Sequence, residues 1–310
     1  MTKIFIDGSA GTTGLRINER LLSRKDIKLI SLPESLRKDT EARKEALNSA
    51  DIVFLCLPDE AAVEAMTLIS SPHTAVIDTS TAHRTEPEWS YGFPELWGKR
   101  DVIKNSRRIA NPGCHASGFI ALTEPLIRVG IIKKDTPLTC FSLTGYSGGG
   151  KKMIAEYESK ERPLSYSAPR QYALSQQHKH LKEMTRISGL KTSPVFCPIV
   201  ADFYSGMEVT VPLFAELING SPKDIKEIYQ STYTGKIVRY SEKADDRGFI
   251  SAAMLSGRDD MLITVSGNDE RILLTAIFDN LGKGASGAAI QNMNILLGVQ
   301  ETCGLNIPNN

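Results

Sequence analysis

Within fourteen residues the chain sets a β-branched and aromatic run, Ile4-Phe5-Ile6, against Asp7-Gly8 and then repeats glycine at positions 11 and 14. That order reads as strand, tight turn, helix. Gly14, Ile17, Leu21 and Leu22 recur at helical spacing and would lay one apolar face on a sheet. The pattern then repeats. Residues 26–32 read as a second strand and 40–48 as a helix, and 52–57 form an unbroken apolar run, typical of buried parallel strands and stopped by Pro58. A helical stretch over 60–69 and a strand over 74–78 follow. Strands alternating with helices leave little choice, because parallel neighbours need helical crossovers. The expected class is α/β, with a doubly wound parallel sheet.

Past Asn111-Pro112-Gly113-Cys114 the texture changes. A helix is expected over 116–129 and a strand over 138–144, followed by a glycine-rich turn at 145–150. Residues 151–190 are polar, 193–214 carry apolar segments, and 261–265 and 271–278 read as strands. This block is expected to be an α+β domain with a mixed sheet. Glycines 282, 284 and 287 introduce a tail helix expected to return to the first domain. The domain reading is therefore discontinuous: 1–113 with 279–310, and 114–278. A chain of 310 residues accommodates two such domains.

Composition removes several function classes. The charge balance is 37 − 36 = +1, which gives no footprint for nucleic acid. The five cysteines are scattered and never in CxxC spacing, so neither a disulfide framework nor a bound metal is expected. No run approaches a membrane span, and the opening apolar run meets Asp7 too soon for a leader, so the expected location is cytoplasmic.

Two motifs carry chemistry. The turn Gly8-Ser9-Ala10-Gly11-Thr12-Thr13-Gly14 sits between strand and helix, where backbone must approach a pyrophosphate and helix amides face the anion. The competing reading is a glycine turn with no ligand. Arg37 and Lys38, beyond the second strand, favour the 2′-phosphate of NADP(H); they serve equally as solvated loop charges. Cys114 opens a helix, where the positive end of the helix dipole favours thiolate, although an inert small core residue also fits that place. A thiol nucleophile needs a proton handler. Among five histidines, His178-Lys179-His180 is the one doublet, and on a helix its two rings would diverge by about 200°, so that one meets the thiol. Glu183 would share the face of His180 and orient its ring.

The glycine turn, Asn111-Pro112-Gly113-Cys114, His178-x-His180-x-x-Glu183 and Asp279-Asn280-Leu281-x-Lys283-Gly284-Ala285-x-Gly287 together resemble the N-acetyl-gamma-glutamyl-phosphate reductases, in their short form, over the whole chain. The resemblance implies a Rossmann-type domain, a substrate and dimerisation domain, and NADPH-dependent reduction of a small acyl phosphate through a cysteine thioester. It implies Cys114 as nucleophile and His178 or His180 as acid/base. It places Arg84, Ser147, Tyr172 and Glu183 about the substrate and Asn280 toward the nicotinamide, in a homodimer or homotetramer. Aspartate-semialdehyde dehydrogenase, a carrier-linked aminoadipyl-phosphate reductase and a non-catalytic NADPH sensor are the rival readings. The first usually shows Asn-Cys-Thr or Asn-Cys-Ser where this chain has Gly113-Cys114-His115. The second calls for a basic surface that a balance of +1 does not supply, and the third needs no nucleophile.

Overall fold

The apolar runs expected in the first eighty residues are strands of one parallel sheet in the computed structural model, which describes residues 1–308. The strands are β1 (Thr2–Asp7), β2 (Ile27–Ile30), β3 (Ile52–Leu55), β4 (Ala75–Asp78), β5 (Ser90–Tyr91) and β6 (Arg108–Ala110). Their order is β2-β1-β3-β4-β6-β5, and the crossovers use α1 (Thr12–Leu22), α2 (Thr40–Ser49), α3 (Asp59–Leu68) and α4 (Lys99–Lys104). Alternation along each strand fills both faces. Ile4, Ile6, Phe54 and Ile77 pack with Ile17 and Leu21 of α1 and with Ala289, Ile290 and Met293 of the tail. Phe5, Val53, Leu55 and Val76 face the other way, onto Ala46, Leu47, Ala62 and Ala65. Two covered faces explain why these strands read as unbroken apolar runs. The chain visits β2 on one side of β1 and returns to β3 on the other, so the carboxyl ends of β1 and β3 form a topological switch point.

The second unit opens with α5 (Cys114–Arg128) and continues through β7 (Thr139–Gly145), α6 (Gly150–Glu158), β8 (Arg170–Gln171), α7 (His180–Ser188), β9 (Val195–Ala201) and β10 (Met207–Phe214). It closes with α8 (Pro222–Thr232), β11 (Val238–Tyr240), β12 (Met261–Gly267) and β13 (Arg271–Phe278). Its seven strands form a mixed sheet ordered β11-β12-β13-β10-β7-β9-β8. Helix α5 lies against β10 and β13 with Phe119, Ile120, Leu122 and Leu126 fully buried, each contributing about 1.5–3 kcal/mol of transfer free energy. The Tyr229 and Tyr233 hydroxyls of α8 and its C-terminus donate to the Leu122 and Ala121 carbonyls of that helix. The other sheet face is covered where Ile250 and Leu255 pack on Leu262 and Ile277, and is open elsewhere. Phe141, Val195, Phe214 and Leu273 expose large apolar side chains there, on strands β7, β9, β10 and β13.

The first unit comprises Met1–Pro94, Gly98–Pro112 and Ala285–Leu305, which includes α9 (Gly287–Leu297). Glu95–Trp97, Gly113–Gly284 and the chain from Asn306 belong to the second. The expected boundary at Asp279 therefore moves to within the glycine run, because the loop that follows β13 stays with its own sheet. Asp279 causes this. Fully buried, its carboxylate accepts from the Leu281 and Gly282 amides, the Ser205 hydroxyl and the Gly257 amide at 2.6–3.0 Å.

Candidate active site

In the first unit the glycine turn occupies the switch point, between β1 and α1. A Cβ on Gly8, at φ +85°, would stand 2.3 Å from the Cys56 carbonyl oxygen, and one on Gly14 would stand 2.5 Å from the Gly8 oxygen. Those two glycines are required by the protein's own packing. Gly11 is different: its Cβ would come no nearer than 3.4 Å to the Gly8 oxygen, an ordinary contact. Gly11 is also the N-cap of α1, with no side chain bonded to the first amides of the helix. The bare backbone and the uncapped helix start fit a dinucleotide pyrophosphate, which leaves ligand approach as the reason for glycine at position 11. Arg37 is exposed one residue beyond a short turn, Glu34–Leu36, that follows β2. Asp39, the acid nearest to it, is engaged as the N-cap of α2.

Arg84, also in the first unit, is buried. Its Nε donates to the Asn111 carbonyl at 2.9 Å and its Nη2 to the Thr79 carbonyl at 3.0 Å. The edge of the guanidinium best suited to a bidentate phosphate thus holds backbone. Asn111 in turn donates to the Ala285 carbonyl at 3.0 Å, so Arg84 secures the strand end that leads to Cys114.

Cys114 is the first residue of α5 in the second unit, and the N-cap Gly113 brings no capping side chain. The positive end of the α5 dipole therefore falls at the Cys114 thiol, where it favours a negative centre. A Cβ on Gly284 would lie 3.0 Å from the Cys114 Cβ, so this glycine makes room for the thiol. Glu183, buried on α7, accepts the Gly113 amide at 2.8 Å through Oε1. The sequence reading gave Glu183 the task of orienting His180; this bond gives it a further one, fixing the residue before Cys114.

The histidine doublet does not lie on one helix. His180 begins α7, whereas His178 precedes it and accepts the His180 amide at 3.1 Å through Nδ1. Their rings lie 4.8 Å apart, so the expected divergence does not arise. Burial first, and Lys179 second, push the His178 pKa down to about 4. Tyr172 follows β8, and burial, with Cys114 as the next cause, raises its phenol well above the usual range. Between these groups stands a residue to which the sequence reading gave no role. His115 is buried, with Nδ1 2.6 Å from the Ser142 hydroxyl and Nε2 2.7 Å from the Tyr172 hydroxyl. Its ring lies 5.7 Å from His178 and 5.6 Å from His180, and burial, then His178, lower its pKa to about 3. The signal for it was its place beside Cys114.

Ser147 and Asn280, expected at substrate and cofactor, form a pair. The Asn280 Nδ2 donates to the Ser147 hydroxyl at 3.0 Å, and its Oδ1 accepts the Gly206 amide at 2.9 Å. Residues 146–149, within the expected glycine-rich turn, form a tight helical turn that runs directly into α6. Among the described residues no cluster of histidine, cysteine and carboxylate is arranged to hold a metal ion, and no helix is long and apolar enough to cross a membrane.

Comparison with known proteins places this geometry. Residues 24–106 match the family model described as the semialdehyde dehydrogenase NAD binding domain, and residues 114–280 match the semialdehyde dehydrogenase dimerisation domain. N-acetyl-gamma-glutamyl-phosphate reductase 2 of Nostoc sp. is 45% identical, the match covering 98% of this chain and 99% of that one. The N-acetyl-gamma-glutamyl-phosphate reductase of Brucella anthropi is 44% identical, covering 96% and 98%. Among solved structures, aspartate semialdehyde dehydrogenase II of Vibrio cholerae has a TM-score of 0.71 at 15% identity, covering 96% of this chain and 98% of that one. Aspartate semialdehyde dehydrogenase of Candida albicans with NADP has a TM-score of 0.65 at 14% identity, covering 96% and 98%. At those identities the structural likeness speaks for the fold.

Two outcomes follow from this geometry. Gly11→Ala is expected to keep the wild-type melting temperature while weakening dinucleotide binding at least about tenfold in a fluorescence titration; Gly8→Ala, strained and in collision, is expected to lower the melting temperature too. Equal melting losses in both variants would contradict the assignment. The second concerns acid. His115 has a folded pKa near 3, below its unfolded value of about 6.5, so between these values the unfolded chain holds the extra proton. Its stabilising contribution is present above pH 6.5 and is lost as pH falls toward 3. In urea titrations between about pH 6 and pH 4.5, His115→Asn should lose stability less steeply than wild type, by about 1.4 kcal/mol per pH unit.

Proposed function

The chain belongs to the N-acetyl-gamma-glutamyl-phosphate reductase family, within the semialdehyde dehydrogenases, and on that premise we propose that it reduces N-acetyl-L-glutamyl 5-phosphate to N-acetyl-L-glutamate 5-semialdehyde and phosphate. The observation that carries the substrate is the 45% identity to a reductase so named over 98% of this chain. The reaction belongs to arginine biosynthesis, and NADPH is the reductant.

The chemistry falls to the second unit's own groups. The Cys114 thiolate attacks the acyl carbon, the carbon–oxygen bond to phosphate breaks, and phosphate leaves with the electron pair, forming a thioester. A thiol suits the role because it attacks readily near neutral pH and later departs readily. The first amides of α5 donate to the developing oxyanion. The Gly8–Gly14 turn and Arg37 would hold NADPH by its pyrophosphate and 2′-phosphate, Asn280 would face the nicotinamide, and the bound cofactor would supply the hydride for the acyl carbon. Cys114 then leaves as thiolate while the carbonyl of the aldehyde re-forms.

His180 is the acid/base in this reading. Its partner His178 spends Nδ1 on the His180 amide, so neutral His178 carries its proton on Nε2 and serves as a donor toward substrate oxygen. Tyr172 and Ser147 complete the substrate wall, and Glu183 and Arg84 hold the two chain segments that flank Cys114; phosphate contact by Arg84 is confined to whatever its backbone bonds leave. The location is cytoplasmic. Two copies associate through the open sheet face that carries Phe141, Val195 and Phe214, whose strands lie within the segment matched as a dimerisation domain.

In the reverse direction, with NADP⁺ and phosphate, kcat/KM for N-acetylglutamate semialdehyde should exceed that for aspartate semialdehyde at least about a hundredfold, and the opposite ranking would overturn the substrate. Cys114→Ser is expected to cut turnover at least about a thousandfold while NADPH still binds. Phe141→Glu, a charge placed on the apolar face, should shift the sedimentation profile toward a smaller species with the melting curve of the monomer retained.

A further inference from the structure

His115 is the one group of the site that the reaction as written leaves idle, and it is the most constrained. It sits on the first turn of α5, next to Cys114, is 4% exposed, and has both ring nitrogens within hydrogen-bond distance of hydroxyls. His178, His180 and Phe196 surround its ring, with centroids 5.7, 5.6 and 5.3 Å away. A neutral imidazole has one donor and one acceptor, so the chain Ser142, His115, Tyr172 runs in one direction at a time. In one direction Ser142 donates to Nδ1 and Nε2–H donates to the Tyr172 oxygen, which releases the phenol proton for another acceptor. In the other, Tyr172 gives its proton to Nε2 and has none to offer.

We propose that His115 is a positioning residue for the reaction at Cys114, donating to Tyr172 so that the phenol directs its own proton to the sulfur or to the acyl oxygen bound beside it. The proposal rests on the reading of Cys114 as nucleophile. Sulfur and acyl oxygen are both acceptors, and each carries its greatest negative charge as the carbon–sulfur bond forms or breaks. A phenol turned toward them lowers that cost; a phenol turned toward His115 does not. In that direction Ser142, buried on β7 with its hydroxyl 2.6 Å from Nδ1, is the donor at the far end of the chain.

Two amide variants separate this role from packing. The Asn amide matches the Nδ1 position of the ring and keeps the Ser142 contact, whereas Gln reaches the Nε2 position and keeps the Tyr172 contact. His115→Asn should lower kcat of the reverse reaction about 10- to 100-fold, with KM for NADP⁺ changed less than about threefold, and should slow iodoacetamide alkylation of Cys114 about tenfold at neutral pH. His115→Gln should recover most of both losses. Adding Tyr172→Phe to His115→Asn should cost little more, because the two act through one bond. Equal losses in Asn and Gln, or effects of His115→Asn and Tyr172→Phe that multiply, would reduce His115 to a packing residue. Should His115→Asn fail to fold, Ser142→Ala leaves the ring in place and removes its donor; an unchanged kcat there overturns the proposal. Turnover retained by Cys114→Ser would instead strike the nucleophile assignment, independently of His115.

Discussion

The site depends on a buried helix whose first residue is left open. Helix α5 is packed along almost its whole length against β10, β13 and α8, so its position is set by packing remote from Cys114. A buried helix start must still satisfy its amides, and Gly113 supplies no side chain for them. Glu183 takes the Gly113 amide, the one just outside the helix. The position of Cys114 at the positive end of the helix and the rigidity of that helix come from the same arrangement: the packing is behind Cys114, and Gly284 leaves room beside it.

Legibility in the sequence follows the range of the interaction. The parallel sheet could be read because both faces of each strand are apolar, and α1 because its buried residues repeat every three to four positions. Helix α8 was equally readable: Ser221 and Asp224 form a capping box with Pro222 between them, a local signal that the reading passed over. The short strands β5, β8 and β11 carry two or three residues each and owe their pairing to partners far along the chain, so no local pattern marks them. Within the site, the helix-start cysteine is local information. The pairing of His115 with Tyr172 joins residues 57 apart, and that of Asn280 with Ser147 joins residues 133 apart. Neither spacing has a sequence signature. Arg84 shows a different failure: an arginine suggests an anion, but burial beside two carbonyls turns its donors to the backbone.

Fold and substrate are recorded at different depths of the chain. The arrangement shared with aspartate semialdehyde dehydrogenase II of Vibrio cholerae persists at 15% identity, because a fold needs only the order of its strands and the packing between its elements. Identity at the 45% level, with the match covering 98% of this chain, extends to the residues between those elements, and function is carried by the site and not by the fold.

Burial of the histidines bears on proton transfer. A general base works best with a pKa near the working pH, and His178, pushed down to about 4, holds a proton too weakly in the empty site. Burial is the main cause, so an ion that enters the same space changes the balance: a phosphate within a few ångströms favours the charged imidazole and raises its pKa. The burial that makes His115 and His178 weak bases keeps both rings neutral near working pH, so that each offers one donor and one acceptor and the direction of its hydrogen bonds is decided by its neighbours.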